Sequence, residues 1–460
     1  MALNADEEKT MFTQIAQFFK TGPDTPRLQI SKEQLRKMYE YKRWSVFLGI
    51  WVGYGIFYVN RLGFSIVKKP IIDAGLLDAA QLGKIGSITL IAYALGKFFN
   101  GVLADSCNIR KFLSVGLLIT ALINLAVGFT SLFWVFLVLW GFNGWFQATG
   151  CGPSVVTMSQ WFSKRERGTL YGVWSAAHAI GELFSFICFS LVVSYFGWRA
   201  GFGAAAIVGV IMAAGLVFLL ADRPETYGLP NIKEYKNETV REECGEPVSL
   251  LKQQIQIMAY PAIWVVGIAS ALNYVTRYGI NSWGMLYLAE TKHYGLLEAG
   301  ATLGISSFAG MGGAAFCGFF SDRFFNSNRL KPMFIYGLIQ IVSLFGFFYA
   351  PAEYRWLNTV CIGVYGFAMG GTLAFLGGLI AIDLVPRRVA GAAMGFIGLV
   401  SYIGASAQDL LSGYMLQKTA VKVAGTTTHN FDVAILIWVG ASVLSLILLM
   451  TVWNVKNCED

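Results

Sequence analysis

Charged side chains are scarce in this chain: Asp, Glu, Lys and Arg make up only 13% of its 460 residues, about half the share of an ordinary soluble domain. A solvated globular surface is thereby excluded over most of the length. The seven cysteines are odd in number, widely scattered and never in a CxxC spacing, which speaks against a disulfide framework or a zinc site. Paired catalytic carboxylates, a Ser/His/Asp set and any metal-ligand spacing are also missing, so neither an enzyme nor a bound metal or cofactor is expected. The first thirty residues, with Asp6, Glu7, Glu8 and Lys9, have no apolar core of a cleavable signal. The first membrane segment must then direct insertion itself.

What the chain has in quantity is apolar: 55% hydrophobic residues, 15% aromatics and 51 glycines. Membrane helices pack through small residues and end in aromatic belts, so this composition places the chain in a lipid bilayer. The net charge of +8 does not point to nucleic acid, because the basic residues sit in short runs between apolar segments.

Apolar stretches long enough to cross a bilayer are expected at about 45–70, 81–104, 111–129, 132–161, 168–196 and 199–221, and again at 261–288, 296–320, 332–350, 355–384, 390–417 and 431–454. The expected fold is an all-α integral membrane protein with twelve spans. Its divisions are an N-terminal segment at 1–43, a first six-helix bundle at 44–221, a polar linker at 222–258, a second bundle at 259–455 and a tail at 456–460. The loops with Arg110 and Lys111, with Lys164, Arg165 and Arg167, with Arg323, Arg329 and Lys331, and with Arg387 and Arg388 fall on the linker side. The positive-inside tendency puts that side, and both termini, in the cytoplasm. Before the first span, Ser31 and Gln34 have the spacing of a capping box, with Ile30 and Leu35 as a staple, so a short surface helix is expected to lead into the membrane, the alternative being a basic anchor.

The strongest signal is self-similarity. Tyr58-Val-Asn-Arg61-Leu-Gly63 recurs as Tyr274-Val-Thr-Arg277-Tyr-Gly279, an offset of 274 − 58 = 216 positions, and Gly101-Val-Leu-Ala-Asp105 recurs as Gly318-Phe-Phe-Ser-Asp322, an offset of 318 − 101 = 217. Two matches at nearly one offset predict two related halves, a plan that holds substrate at the interface between repeats. The second pair of motifs looks like the signature loops of the major facilitator superfamily. Asp105 with Arg110, and Asp322 with Arg323, are expected to latch helix ends together.

Arginine at bilayer depth costs at least ~2.5–3.5 kcal/mol, so it faces a partner or a water-filled cavity. Arg61 and Arg277 occupy equivalent places in the two halves, and Tyr54, Tyr58 and Arg61 share one helix face by their spacing. A guanidinium fork fits phosphate or carboxylate oxygens, so a phosphorylated ligand between the two is the expected occupant. The competing reading pairs each arginine with a carboxylate from another helix, for which Glu182 and Asp409 are the candidates. Lys97 is either a third cation for the anion or a snorkelling residue. His178, taken alone, reads as a satisfied core residue.

Together with Tyr93-Ala-Leu-Gly-Lys97, Gly144-Trp-Phe-Gln147, Trp174-Ser-Ala-Ala-His178, Phe196-Gly-Trp-Arg199 and Tyr402-Ile-Gly404, these residues resemble the organophosphate:phosphate antiporters of the major facilitator superfamily. The likeness is strongest to hexose-phosphate (glucose 6-phosphate) transporters and sensors, and runs from about Trp44 to Trp453. It implies that Arg61 and Arg277 clamp the phosphoryl group, that Lys97 and His178 assist, and that Tyr54, Tyr58, Gln147 and Tyr402 line the cavity. It also implies exchange of hexose phosphate for inorganic phosphate in a bacterial inner membrane, with the chain acting as a monomer. Three departures stand out: Ser282 where many members carry an aspartate, Glu182 where glycine is common, and Met394 and Ile397 in place of an acid and a lysine. Ser282 predicts a missing ion pair; Glu182 either pairs with His178 one turn away or lines the cavity. With two arginines left bare in an empty, closing site, exchange is expected to be obligatory. A membrane receptor for the same ligand, and proton-coupled transport through Glu182 or Asp409, are the alternatives.

Overall fold

Lipid offers backbone N–H and C=O groups no partner, so apolar segments that enter it close their hydrogen bonds internally as helices. The computed structural model of the chain describes residues 13–14, 17–104, 106–236, 257–325, 328–380, 384–385, 389–423 and 426–452. The first half holds α1 (Lys32–Asp73), α2 (Ala79–Ala104), α3 (Ile109–Gly128), α4 (Phe133–Gln147), α5 (Gly152–Trp161), α6 (Lys164–Phe184) and α7 (Ser190–Leu219). The second holds α8 (Pro261–Thr291), α9 (Leu296–Phe325), α10 (Leu330–Tyr349), α11 (Arg355–Ala374), α12 (Ala390–Lys418) and α13 (Asp432–Met450).

Nine helical stretches among the described residues are long and apolar enough to cross a membrane. One of them, Lys164–Leu219, is a folded-back pair. Gly197 breaks it with φ 82° and ψ 167°, a conformation open to glycine and strained for other residues. Gly201 then lies against Phe189 and Val193 of the preceding arm. Two further spans fall outside the nine: α4 and α5, split by the tight turn Ala148–Gly150, and α8, which carries Asn273, Thr276, Arg277, Asn281 and Ser282. Each of the twelve expected segments thus falls on one or more of these helices.

The Ser31 capping box forms, with the Ser31 hydroxyl accepting from Gln34 N at 3.2 Å and the Gln34 side chain accepting from Ser31 N at 3.3 Å. It does not open a separate surface helix. α1 runs unbroken for 42 residues from that cap through the first span. At the linker end, Arg43 of this rod is buried and donates to Glu166 at 2.9 Å. The linker itself begins with the turn Pro224–Tyr227 and a single helical turn, Ile232–Tyr235. Tyr235 stacks on Tyr39 at 3.9 Å and donates its hydroxyl proton to Glu40 at 3.2 Å, fastening the start of the linker to α1.

The halves meet where α12 lies along α2, α9 along α6 and α8 against α1. At the end away from the linker this seam is tight. A Cβ on Gly83 would lie 2.6 Å from the Asp409 carbonyl oxygen and 2.9 Å from the Gly413 Cα. Ser87 and Ser406 share a 2.7 Å hydrogen bond, and Ala79 N donates to Gln417 at 3.1 Å. A short hairpin, β1 (Val421–Val423) with antiparallel β2 (Thr426–Thr428), caps this end. Lys69 reaches it at the Thr427 carbonyl, 3.0 Å away, and also meets Glu290 at 3.3 Å. Toward the linker end Lys97, on the second span, is exposed.

Candidate functional site between the two halves

Five tyrosines build the middle of the seam. Arg61 of α1 lies under the Tyr93 ring at 4.0 Å and beside Tyr58 at 5.0 Å. Tyr93 touches Tyr402 of α12 with ring centroids 4.8 Å apart. Tyr402 in turn meets Tyr274 at 5.4 Å and Tyr278 at 6.1 Å, and Arg277 stands 5.9 Å from each of those rings. A continuous aromatic wall therefore joins the two arginines across the halves. The repeat produces this directly: in each half a tyrosine precedes the arginine by three positions, which on a helix is the same face.

A cavity of about 60 Å³ opens between Arg61, Thr89 and Tyr93 on one side and Tyr278, Asn281 and Asp409 on the other. Arg61 Nη1 is buried without a hydrogen-bond partner, and no ion pair to this side chain occurs among the described residues. Gln147 is 1% exposed and neither atom of its amide has a partner. Groups of this kind are costly to bury unsatisfied. Tyr54 stacks on Trp174 at 4.5 Å and meets Tyr58 edge-on at 5.4 Å.

Lys97 reaches toward the other half. Its Nζ is 5.9 Å from the Tyr402 ring, and a Cβ on Gly398 would lie 4.0 Å from it, both on α12 of the other half. His178 on α6 has its ring 5.7 Å from Tyr58, with Nδ1 against the Ser175 carbonyl. That bond makes Nδ1 the donor and leaves Nε2 as the face available to a ligand.

Glu182, one of the two candidate carboxylates, meets Arg277. It pairs neither with His178 nor with open space; its Oε1 accepts from Arg277 Nη2 at 3.0 Å and its Oε2 accepts from Ser307 Oγ at 3.0 Å. The carboxylate alternative is thus realised for Arg277 and not for Arg61. Asp409, the other candidate, takes neither arginine. It lies 3.5 Å from Lys68 Nζ, and Ser282 bridges the two, accepting from Lys68 at 2.6 Å and donating to Asp409 at 2.7 Å. Ser282 therefore stands inside an inter-half connection where a missing one was expected. Lys68 escaped the sequence reading because it sits beside Lys69 and Pro70 and reads as a flanking charge. Its spacing held the signal: Tyr54, Tyr58, Arg61, Ser65 and Lys68 follow one helix face.

At the linker end, Asp322 accepts from Arg329 at 2.6 Å, joining the end of α9 to the start of α10; Arg323 is exposed beside it. In the first half Asp105, like Arg387 and Arg388, lies outside the described residues. Arg110 is half-buried in the first turn of α3, where the cap residue Asn108 accepts from Lys111 N and donates to Asp222 at 2.9 Å.

The sequence profile of the Major Facilitator Superfamily matches residues 50–408. The chain belongs to that superfamily. Among the relatives of this superfamily member, the membrane sensor protein UhpC of Escherichia coli is 31% identical over 436 residues, 94% of this chain and 97% of that protein. A probable hexose phosphate transport protein of Chlamydia trachomatis is 32% identical, over 92% of this chain and 94% of that protein. The glycerol-3-phosphate transporter of Bacillus subtilis is 30% identical, over 95% and 97% respectively. Among solved structures, a bacterial homologue of the human lysosomal transporter Spinster, inward-facing and unoccupied, superposes with a TM-score of 0.69 at 17% identity, covering 89% of this chain and 95% of that one. The nucleoside transporter NupG gives a TM-score of 0.65 at 16% identity, covering 89% and 99%. At such identity these two speak for the fold alone.

Proposed function

We propose that the chain is a hexose phosphate transporter, with glucose 6-phosphate as its best candidate substrate and inorganic phosphate as the counter-substrate, working by alternating access in a bacterial inner membrane. One observation carries this reading above the others. Two arginines at repeat-equivalent positions stand against one wall of tyrosines from opposite halves, and one of them has no carboxylate partner among the described residues. Relatives named for hexose phosphate and glycerol-3-phosphate, matched over nearly the full chain, support an organic phosphate as the ligand.

In this reading the phosphoryl group enters from the linker end past Lys97 and settles between Arg61 and Arg277, with His178 Nε2 as a further partner. Gln147, whose amide lacks protein partners, and Tyr402 read the hydroxyls of the sugar. The positive-inside tendency sets the linker, and both termini, in the cytoplasm, so the present arrangement opens inward. The chain works as a monomer, without cofactor, and as a carrier rather than an enzyme.

Exchange of radiolabelled phosphate against a panel of sugar phosphates in proteoliposomes tests this. Arg61→Ala and Arg277→Ala are each expected to abolish exchange, because a bidentate charged partner to phosphate is lost in a water-poor site. Full exchange in either variant would remove the clamp from the mechanism. The similarity to a membrane sensor favours a second reading, a receptor for the same ligand. It predicts binding of glucose 6-phosphate with negligible counterflow.

A further inference from the structure

Glu182 gives the site an anion of its own. Its carboxylate arrives from the first half on α6 and meets two groups of the second half together, the Arg277 guanidinium at 3.0 Å and the Ser307 hydroxyl at 3.0 Å. Both charged side chains are largely withdrawn from solvent, at 12% and 7% exposure for Arg277 and Glu182. The helix loosens immediately afterwards into the wide turn Ser185–Phe189, a feature that recurs at functional sites. Arg61 is treated differently: the Tyr93 and Tyr58 rings cover it at 4.0 and 5.0 Å and contribute a cation–π attraction.

Obligatory exchange needs an empty site that resists closure, and two uncompensated guanidinium groups would supply that resistance. Here the second-half arginine is already neutralised without any ligand. Because its partner belongs to the other half, the ion pair also draws the halves together, which is the task a bound phosphate would otherwise perform. We propose that Glu182 is a resident substitute for phosphate at Arg277, so that the empty carrier reorients and net uptake of sugar phosphate proceeds without a counter-anion. The inference rests on the transport reading above. It implies a second property: incoming phosphate must compete with the Glu182 carboxylate for Arg277, so Glu182 sets affinity as well as transport mode.

The full chain in proteoliposomes, with the membrane potential clamped, is supplied with labelled glucose 6-phosphate in two arms, vesicles preloaded with inorganic phosphate and vesicles free of it. Wild type is expected to fill the phosphate-free vesicles at a rate within about tenfold of exchange. Glu182→Gln and Glu182→Gly are expected to lower the ratio of net to exchange flux on the order of 100-fold, since each leaves Arg277 bare in the empty site. Binding of inorganic phosphate to the solubilised Glu182→Gln variant is expected to tighten about tenfold or more as the competing carboxylate is removed. Exchange by wild type with no filling of phosphate-free vesicles overturns the inference and leaves the transport reading intact. An unchanged flux ratio in the variants, or an unchanged phosphate Kd, likewise overturns it. If wild type shows neither flux, the transport reading falls and this inference falls with it.

Discussion

Lys68→Met removes a buried ammonium group while keeping most of the side-chain volume, and the surroundings set the cost. Lys68 is fully buried and Asp409 is 2% exposed. Nζ donates to Ser282 at 2.6 Å and lies 3.5 Å above the Trp283 ring. Taking one partner from such a pair leaves the other charge uncompensated, at about 3–5 kcal/mol. The penalty falls on the arrangement in which this end is sealed; once the halves part here, Asp409 meets water. At 1.4 kcal/mol per decade, the equilibrium is expected to move by roughly two to three and a half decades toward opening at the end away from the linker. Adding Asp409→Asn to Lys68→Met removes the stranded charge and is expected to restore most of the original balance. The assay is the labelling rate of a single cysteine placed at Ala79, buried in the closed seam, by an impermeant maleimide in a background free of native cysteines. If a folded Lys68→Met protein labels at the wild-type rate, or if Asp409→Asn fails to reverse a rise, the pair does not hold this end shut.

Two further outcomes use the same seam and wall. Gly83→Ala places a methyl group against the Asp409 carbonyl and the Gly413 backbone, an overpacking of about 1–3 kcal/mol that is expected to raise labelling in the same direction as Lys68→Met; unchanged labelling would mean that the seam yields freely. Tyr93→Ala strips Arg61 of the ring 4.0 Å away and is expected to weaken glucose 6-phosphate binding by about 0.5–2 kcal/mol through loss of Arg61 positioning, with Tyr93→Phe retaining most of it. Calorimetric titration distinguishes the two, and equal losses in both would shift the role to the Tyr93 hydroxyl.

The spans and the repeat were legible in the sequence because both depend on local pattern: apolar length sets the helices, and a fixed offset sets the halves. The placement of Arg61 and Arg277 across one seam comes from that symmetry. What stayed hidden are partnerships between groups far apart in the chain. Arg277 and Glu182 are 95 positions apart, and their meeting depends on how α6 of the first half faces α8 of the second. A lone acid or base in an apolar helix announces that it faces inward, but which neighbour it faces is settled by the angle between bundles. Lys68 illustrates the second source of error. Charge beside a proline at a helix end resembles an interfacial flank, and only the shared face with Arg61 separates the two. Even the α1 cap was visible while the length of the helix behind it was not, since no glycine or charge in 32–50 breaks the helical geometry.

That length has a mechanical consequence. At 1.5 Å per residue, 42 residues make a rod of about 63 Å, roughly twice the hydrocarbon thickness. Arg43 with its Glu166 anchor, Arg61 at the cavity and Lys68 at the sealed end are three stations on this one lever. All three belong to one continuous helix, so an anion that pulls on the middle station moves both outer ones in the same stroke.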